Sequence, residues 1–195
     1  DEGGLYFSTY SKADYFGDDI GFSTVVCALA VARAISDFGK VYIKWPNDIY
    51  WHDKKICGIL IENELEGKYL SQSIIGIGLN VNQSVFLSSA PNPVSLFQII
   101  GKEIDKDEVF SKIIHALLGG YKALEGNFIE ASNTISHLYK KFLYRKNGFH
   151  LFQDKNGSFT ARIHDVGNDG YLYLEDTENN IRKYAFKEVT YIIHE

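Results

Sequence analysis

Methionine is absent from the 195 residues, cysteine and tryptophan occur twice each, and proline occurs three times. The chain opens on Asp1-Glu2-Gly3-Gly4 immediately before the strand-like LYFSTY, without an initiator, so the natural sequence is expected to extend upstream of residue 1. Two cysteines, Cys27 and Cys57, each inside an apolar stretch, exclude a disulfide framework and favour a reducing, cytoplasmic setting. No apolar run approaches the roughly 20 residues that cross a bilayer, so no membrane is expected. Excess positive charge is also missing. The formal net charge is −5, which argues against a broad basic surface and hence against nucleic acid as a partner for this chain. The short basic clusters Lys54-Lys55 and Lys140-Lys141 read as ordinary solvated surface.

Several catalytic signatures are missing too. The six histidines do not fall at zinc-ligand spacing with each other or with the cysteines, and neither His-Glu-x-x-His nor Cys-x-x-Cys occurs. No residue is therefore assigned as a metal ligand. There is no Gly-x-Ser-x-Gly elbow. GIGLNV (76–81) half resembles a dinucleotide fingerprint, but its third glycine position holds Val81 and the segment continues as a strand.

What is present is a globular balance, 45% hydrophobic and 23% charged, which suits a packed core rather than a disordered chain. LYFSTY alternates like a strand, and STVVCALAVARAISDFG reads as a buried helix with Ser23 as its capping candidate and Gly39 at its end. VYIKW, DIYW, ICGILIENEL and LSQSIIGIGLNVNQ read as strands joined by the turns PND, HDKK and EGK, an antiparallel meander. A proline-punctuated loop, APNP, leads into a short helix. Two longer helices follow, with Asp105 and Asn127 as caps and Gly119-Gly120 as a candidate bend. From Leu143 onward, short strands recur with Asn/Asp/Gly turns, the rhythm of a small β-barrel or sandwich. The reading is an α+β fold, with residues 1–142 as one domain and 143–195 as a second.

Two stretches could carry chemistry. In KWPNDIYWHDKKICGILIE, Lys44 ends a buried strand beside Trp45 and the rigid Pro46 turn, and Gly58 interrupts the next long strand. Taken alone, KWPND is a turn with an exposed lysine. In its company, Lys44 could meet a carboxylate or phosphate with little entropy left to lose. In IIGIGLNVN, Gly76 and Gly78 leave one face bare, which either admits close packing or makes room for a flat ligand. Asn80 and Asn82 continue on that face, where a carboxamide could bond a purine edge.

LYFS (5–8), VYIKWPNDIYW (41–51), KKICGILIE (54–62) and IIGIGLNVN (74–82), in this order and spacing, resemble the biotin–protein ligases over essentially the whole chain. The resemblance implies a mixed, largely antiparallel sheet with packed helices, similar to class II aminoacyl-tRNA synthetases, plus a small SH3-like C-terminal barrel. It implies two steps: ATP activates biotin to biotinyl-5′-AMP, and a lysine of a biotin carboxyl carrier domain then displaces AMP. Lys44 matches the family's essential lysine, expected to contact the biotin carboxylate and the α-phosphate. Gly58 matches the glycine that seats the biotin rings, with Trp45, Cys57 and Ile59 around it, and Asn47 and Asn80 fall on the nucleotide side. Mg2+ is expected because the leaving group is pyrophosphate, and a homodimer is an arrangement open to the family. The Gly/Arg-rich loop and the Ser-Thr-Asn-like biotin contact that lie upstream of LYFS in the family are not in this chain. A form without them is expected to bind weakly and to leak adenylate. The readings that compete are a lipoate or octanoate ligase or transferase of the same fold, a truncated non-catalytic biotin-binding form, and a structural module.

Overall fold

A computed structural model describes residues 3–11, 22–66, 69–87 and 92–193. The polar stretch KADYFGDD with Lys12, as well as Lys68 and His194, lie outside the described residues. Runs of alternating aromatic and β-branched residues build five strands: β1 (Gly4–Ser11), β2 (Val41–Lys44), β3 (Asp48–Trp51), β4 (Lys54–Glu66) and β5 (Tyr69–Asn80). They pair antiparallel in the order β1-β5-β4-β3-β2. Consecutive hairpins thus place β2 to β5 as the expected meander, and β1 closes the far edge against β5.

One face of this sheet is apolar. Cys57, Ile59, Ile75, Ile77 and Leu79 are buried there in a cluster with Cys27, Ala28 and Val31 of α1 (Phe22–Ala34). That helix is apolar nearly all round, as a fully buried helix must be. Ser23, the capping candidate, lies inside it as its second residue and is buried. The helix also stops earlier than the apolar pattern suggested. A 3₁₀ turn, Ser36–Phe38, intervenes before Gly39, whose φ of 155° lies where side chains rarely go.

α2 (Leu96–Ile100) opens with a capping box at Ser95 and Gln98. α3 (Lys106–Gly126) and α4 (Phe128–Phe142) pack on α1, capped by Asp105 and Asn127, whose side chains accept from Asp107 N and Glu130 N. α3 is assigned as one continuous helix through Gly119-Gly120.

The remainder forms a second antiparallel sheet from β6 (His150–Asp154), β7 (Gly157–Val166), β8 (Leu172–Asp176), β9 (Ile181–Tyr184) and β10 (Thr190–Tyr191), in the order β10-β6-β7-β8-β9. The strand expected over IRKYAFKEV ends at Tyr184, where a turn begins that is closed by Glu188 accepting from Ala185 N. The two sheets share one buried cluster that includes Ile43, Leu143, Phe152 and Tyr191. Tyr144 N donates to Ile43 O (2.8 Å), Arg145 Nη1 to Ile192 O (2.8 Å) and Tyr139 Oη to Pro46 O (2.8 Å), which fix the second sheet beside the end of β2.

Candidate active site

The face of the first sheet opposite the helices carries a depression of about 720 Å³. Register explains it. Tyr6 on β1 stands opposite Gly78 on β5, Gly78 opposite Gly58 on β4, and Asp48 on β3 opposite Lys44 on β2. Asp48 also neighbours Gly58, since a Cβ built on that glycine would lie 3.7 Å from Asp48 Oδ1. One row across five strands therefore reads aromatic, bare, bare, anion, cation. Gly76 extends the bare floor, with no atom closer than 3.8 Å to its Cβ position.

The cation that stands over this floor is Lys55. Its Nζ pairs with Asp48 Oδ1 at 2.7 Å, and both side chains keep partial solvent access, 34% and 25%. A Cβ on Gly58 would meet Lys55 Cε at 3.2 Å and Nζ at 3.3 Å. Regular alternation would send Lys55, three residues before Gly58, to the opposite face. A bulge changes that. Ile49 pairs with Cys57 while Tyr50 pairs with Lys55, so Ile56 is an extra residue in β4 and both Lys55 and Gly58 face the depression. The backbone of Lys55 is gripped on its other side too, donating to Asn92 O (2.8 Å) and accepting from Val94 N (2.9 Å).

Lys44 lies one strand further out. Its Nζ sits 5.5 Å from the ring centre of Tyr50 and 5.1 Å from that of Tyr191, in cation–π contact with a side chain from each sheet. Burial pushes its pKa down, Asp48 opposes that shift and Lys55 adds to it.

A larger hollow, about 990 Å³, opens between α1, α3 and α4. Alanine, glycine and leucine line much of it, and at its rim Lys112 pairs with Glu108 and Asp37. The sheet depression, where a cation and an anion meet a side-chain-free floor, is the better place for chemistry on an anionic substrate.

Comparison with known proteins agrees in place. The pattern of the Biotin/lipoate A/B protein ligase family matches residues 2–80, which include every residue of the row above. Residues 2–80 thus carry the pattern of this family. The bifunctional ligase/repressor BirA of Bacillus subtilis is 31% identical over 169 residues, covering 83% of this chain and 50% of that protein. The protein of the same name from Escherichia coli is 32% identical over 111 residues, covering 54% of this chain and 34% of its own length. The chain spans about half the length, or less, of these curated relatives. Among solved structures, biotin protein ligase from Aquifex aeolicus superposes with a TM-score of 0.76 at 24% identity, covering 96% of this chain and 81% of that one. That likeness shows the fold, an α+β arrangement with antiparallel sheets.

The site residues named from sequence divide clearly. Gly58, Gly76 and Gly78 form the floor. Lys44 stands one strand outside the residues that line the depression, opposite Asp48, and Lys55, read from sequence as surface, stands over the floor. Trp45 lies away from the depression. Its ring is buried against the second sheet, where Nε1 donates to Gly170 O (3.2 Å) and the ring meets Phe186 edge-on, so it makes no wall for the slot. Cys57 belongs to the buried core, and burial raises its thiol pKa. Ile59 borders the depression, but it too is buried in the core cluster. Asn47 Nδ2 donates to Ile59 O (2.5 Å), tying the KWPND turn to β4. Asn80 Nδ2 donates to Val94 O (3.1 Å) and Oδ1 accepts from Gln83 Nε2 (3.3 Å), bracing the segment that grips Lys55. Asn82 is occupied at the backbone of Ile104. Tyr6, 59% exposed with its ring over Gly78, completes the slot and was not singled out from sequence.

Proposed function

We propose that this chain carries out the biotin-activating chemistry of a biotin–protein ligase. The carboxylate of biotin attacks the α-phosphate of ATP, releasing pyrophosphate and leaving biotinyl-5′-AMP. The amine of one lysine on a carrier domain then displaces AMP and forms the amide. The observation that carries this reading is Lys55 held by Asp48 directly over Gly58. A flat ring system laid in the slot between Lys55 and Tyr6, along the glycine floor that Gly76 extends, brings its acid tail to a fixed ammonium.

Two anions must approach each other in the first step, and a preorganised cation between them stabilises the transition state more than the ground state. Lys55 supplies that charge. Tyr6 offers a ring face at the other end of the slot, where stacking on the biotin bicycle buries apolar surface. Asn47 and Asn80 stand toward the nucleotide side, acting chiefly by fixing the backbone around the slot. Magnesium would enter with the nucleotide phosphates. Among the described residues no three His, Cys, Asp or Glu groups converge on one point, and Asp48 is the carboxylate within the slot. One or two carboxylates plus phosphates is a usual Mg2+ environment.

The same reading treats residues 1–142 as the catalytic domain, of class II aminoacyl-tRNA synthetase-like topology, and residues 143–195 as an SH3-like barrel. It gives the protein a carrier domain of a biotin-dependent carboxylase as partner, a cytoplasmic setting, and a homodimer as one assembly open to it. Lipoate or octanoate ligation is the second reading, because the matched family includes lipoate A/B ligases. Acid-dependent exchange of labelled pyrophosphate into ATP separates the two. Exchange supported by biotin and not by lipoate or octanoate is expected, and the reverse preference would overturn the biotin assignment.

A further inference from the structure

The bulge that turns Lys55 into the slot also divides the β3–β4 hairpin. On one side of it, Ile49 pairs with Cys57 in the body of the sheet. On the other, the pairs Tyr50–Lys55 and Trp51–Lys54 lead to the turn at His52 and Asp53, where His52 has a φ of 49°. A bulge bends its strand and raises the local twist, so the ladder alone does not fix the direction in which this tip leaves the sheet. Lys55 stands on the tip. Where its ammonium lies over Gly58 therefore depends on what holds the tip.

The hold comes from Tyr144, in the link between α4 and β6. Its side chain is buried, and its ring centre lies 5.3 Å from that of Tyr50, the cross-strand partner of Lys55. Its phenol donates to Asp53 Oδ1. The same phenol oxygen accepts from Arg145 Nε (3.0 Å), and Arg145 Nη1 is anchored on Ile192 O (2.8 Å). Arg145 has a φ of 55°, in the left-handed region that few residues other than glycine adopt. The hydroxyl thus bridges a guanidinium and a carboxylate, and hydrogen bonds to ionised groups are the stronger kind. Burial, and then the bond to Asp53, raise the pKa of the phenol, so it keeps the proton that it donates. Asp53 is two residues from Lys55, roughly 7 Å at the rise of a strand.

Resting on the biotin reading of the slot, we propose that Tyr144 is a positioning residue, which grips the hairpin tip through Asp53 and Tyr50 and so keeps Lys55 over Gly58. The ring supplies packing, and the hydroxyl sets the place of the turn. A residue of the link to the second sheet thereby governs the charge in the slot of the first.

The test is single-turnover formation of biotinyl-5′-AMP by the whole chain, below the melting temperature of every variant. Tyr144→Phe keeps the ring and loses the bond to Asp53, and it is expected to slow the step about tenfold, since small misplacements of a reacting group are costly. Asp53→Ala is expected to do the same, whereas Asp53→Asn, which keeps an acceptor oxygen, stays within about threefold of the parent. In a Lys55→Ala background, Tyr144→Phe is expected to change the residual rate by less than about twofold, because no ammonium remains to be positioned. A merely structural role would slow both backgrounds alike. Tyr144→Phe at the parent rate, the full tenfold fall repeated in the Lys55→Ala background, or Asp53→Asn as slow as Asp53→Ala would each overturn the positioning role while leaving the biotin reading in place. A folded parent chain that makes no adenylate would remove the biotin reading, and the positioning role with it.

Discussion

Replacing Gly58 by alanine separates the slot from the fold. The new Cβ would lie 3.2 Å from Lys55 Cε, 3.3 Å from Lys55 Nζ and 3.7 Å from Asp48 Oδ1. The two tight contacts are the tip of a flexible, partly exposed side chain, so a shift of a few tenths of an ångström relieves them. Losing a glycine also removes about 0.4–1 kcal/mol of unfolded-state freedom. Thermal denaturation of Gly58→Ala is therefore expected within a few degrees of the unsubstituted chain. Binding is a different matter. The methyl group fills the floor on which a ring must lie and displaces the ammonium beside it, an overpacking worth about 1–3 kcal/mol, or roughly 10–200-fold in affinity. Gly78→Ala makes the contrast, because its Cβ would press on Tyr6 ring carbons at 3.3 Å, and the ring must swing away for it to fit. Calorimetric titration with biotin reads the effect. Gly58→Ala that melts like the parent and binds biotin equally well would refute the placement of the ring on this strand.

Gly119→Ala is a control in the interior of α3, where the Cβ position has open space. It is expected to stabilise the chain by about 0.8–1 kcal/mol, read as a higher melting temperature, with biotin binding unchanged. Trp45→Phe removes the hydrogen bond to Gly170 O and part of the packing on Phe186. A loss of about 1–3 kcal/mol in denaturant unfolding is expected, because a buried acceptor loses its donor. In the second sheet, hydrogen bonds hold three carboxyls below the usual range: Tyr184 on Asp154, Arg162 on Glu175, and the backbone of Asn180 on Asp176. Groups with lowered folded pKa values stabilise the fold above the unfolded values near about 4 and cease to do so as pH falls through the folded ones. The contribution of these groups should thus be steady from neutral pH to about 5 and be lost below about 4, and stability that rises on acidification through that window would contradict it.

Much of this fold was legible because local chemistry and global architecture agree. The turns HDKK and PND, the alternation in LYFSTY, and the Asp105 and Asn127 caps each specify their element without help from distant residues. So does the bare floor. Glycines at positions two apart in a strand share a face, and register alone then sets Gly78 opposite Gly58. What sequence could not give is a bulge. Ile56 looks like any strand residue, yet as the extra residue in β4 it turns Lys55 into the slot. Strict alternation would have chosen Lys54 instead. The surroundings of Trp45 were illegible for a different reason. Next to KWPND it suggests a ligand wall, and only the docking of the second sheet, over 120 residues later, shows what its indole meets. Lys44 suffers the same limitation, since Tyr191 comes from the last strand of that sheet.

The central claim is that Lys55, fixed over Gly58, supplies the charge for acid activation. Single-turnover formation of biotinyl-5′-AMP from biotin and ATP tests it most directly, comparing the unsubstituted chain with Lys55→Ala. Removing one preorganised cation at the developing charge should cost about 2.7–4 kcal/mol, a fall of roughly 10²–10³ in rate, with thermal stability nearly unchanged. Adenylate formed by Lys55→Ala at close to the parent rate would contradict the account.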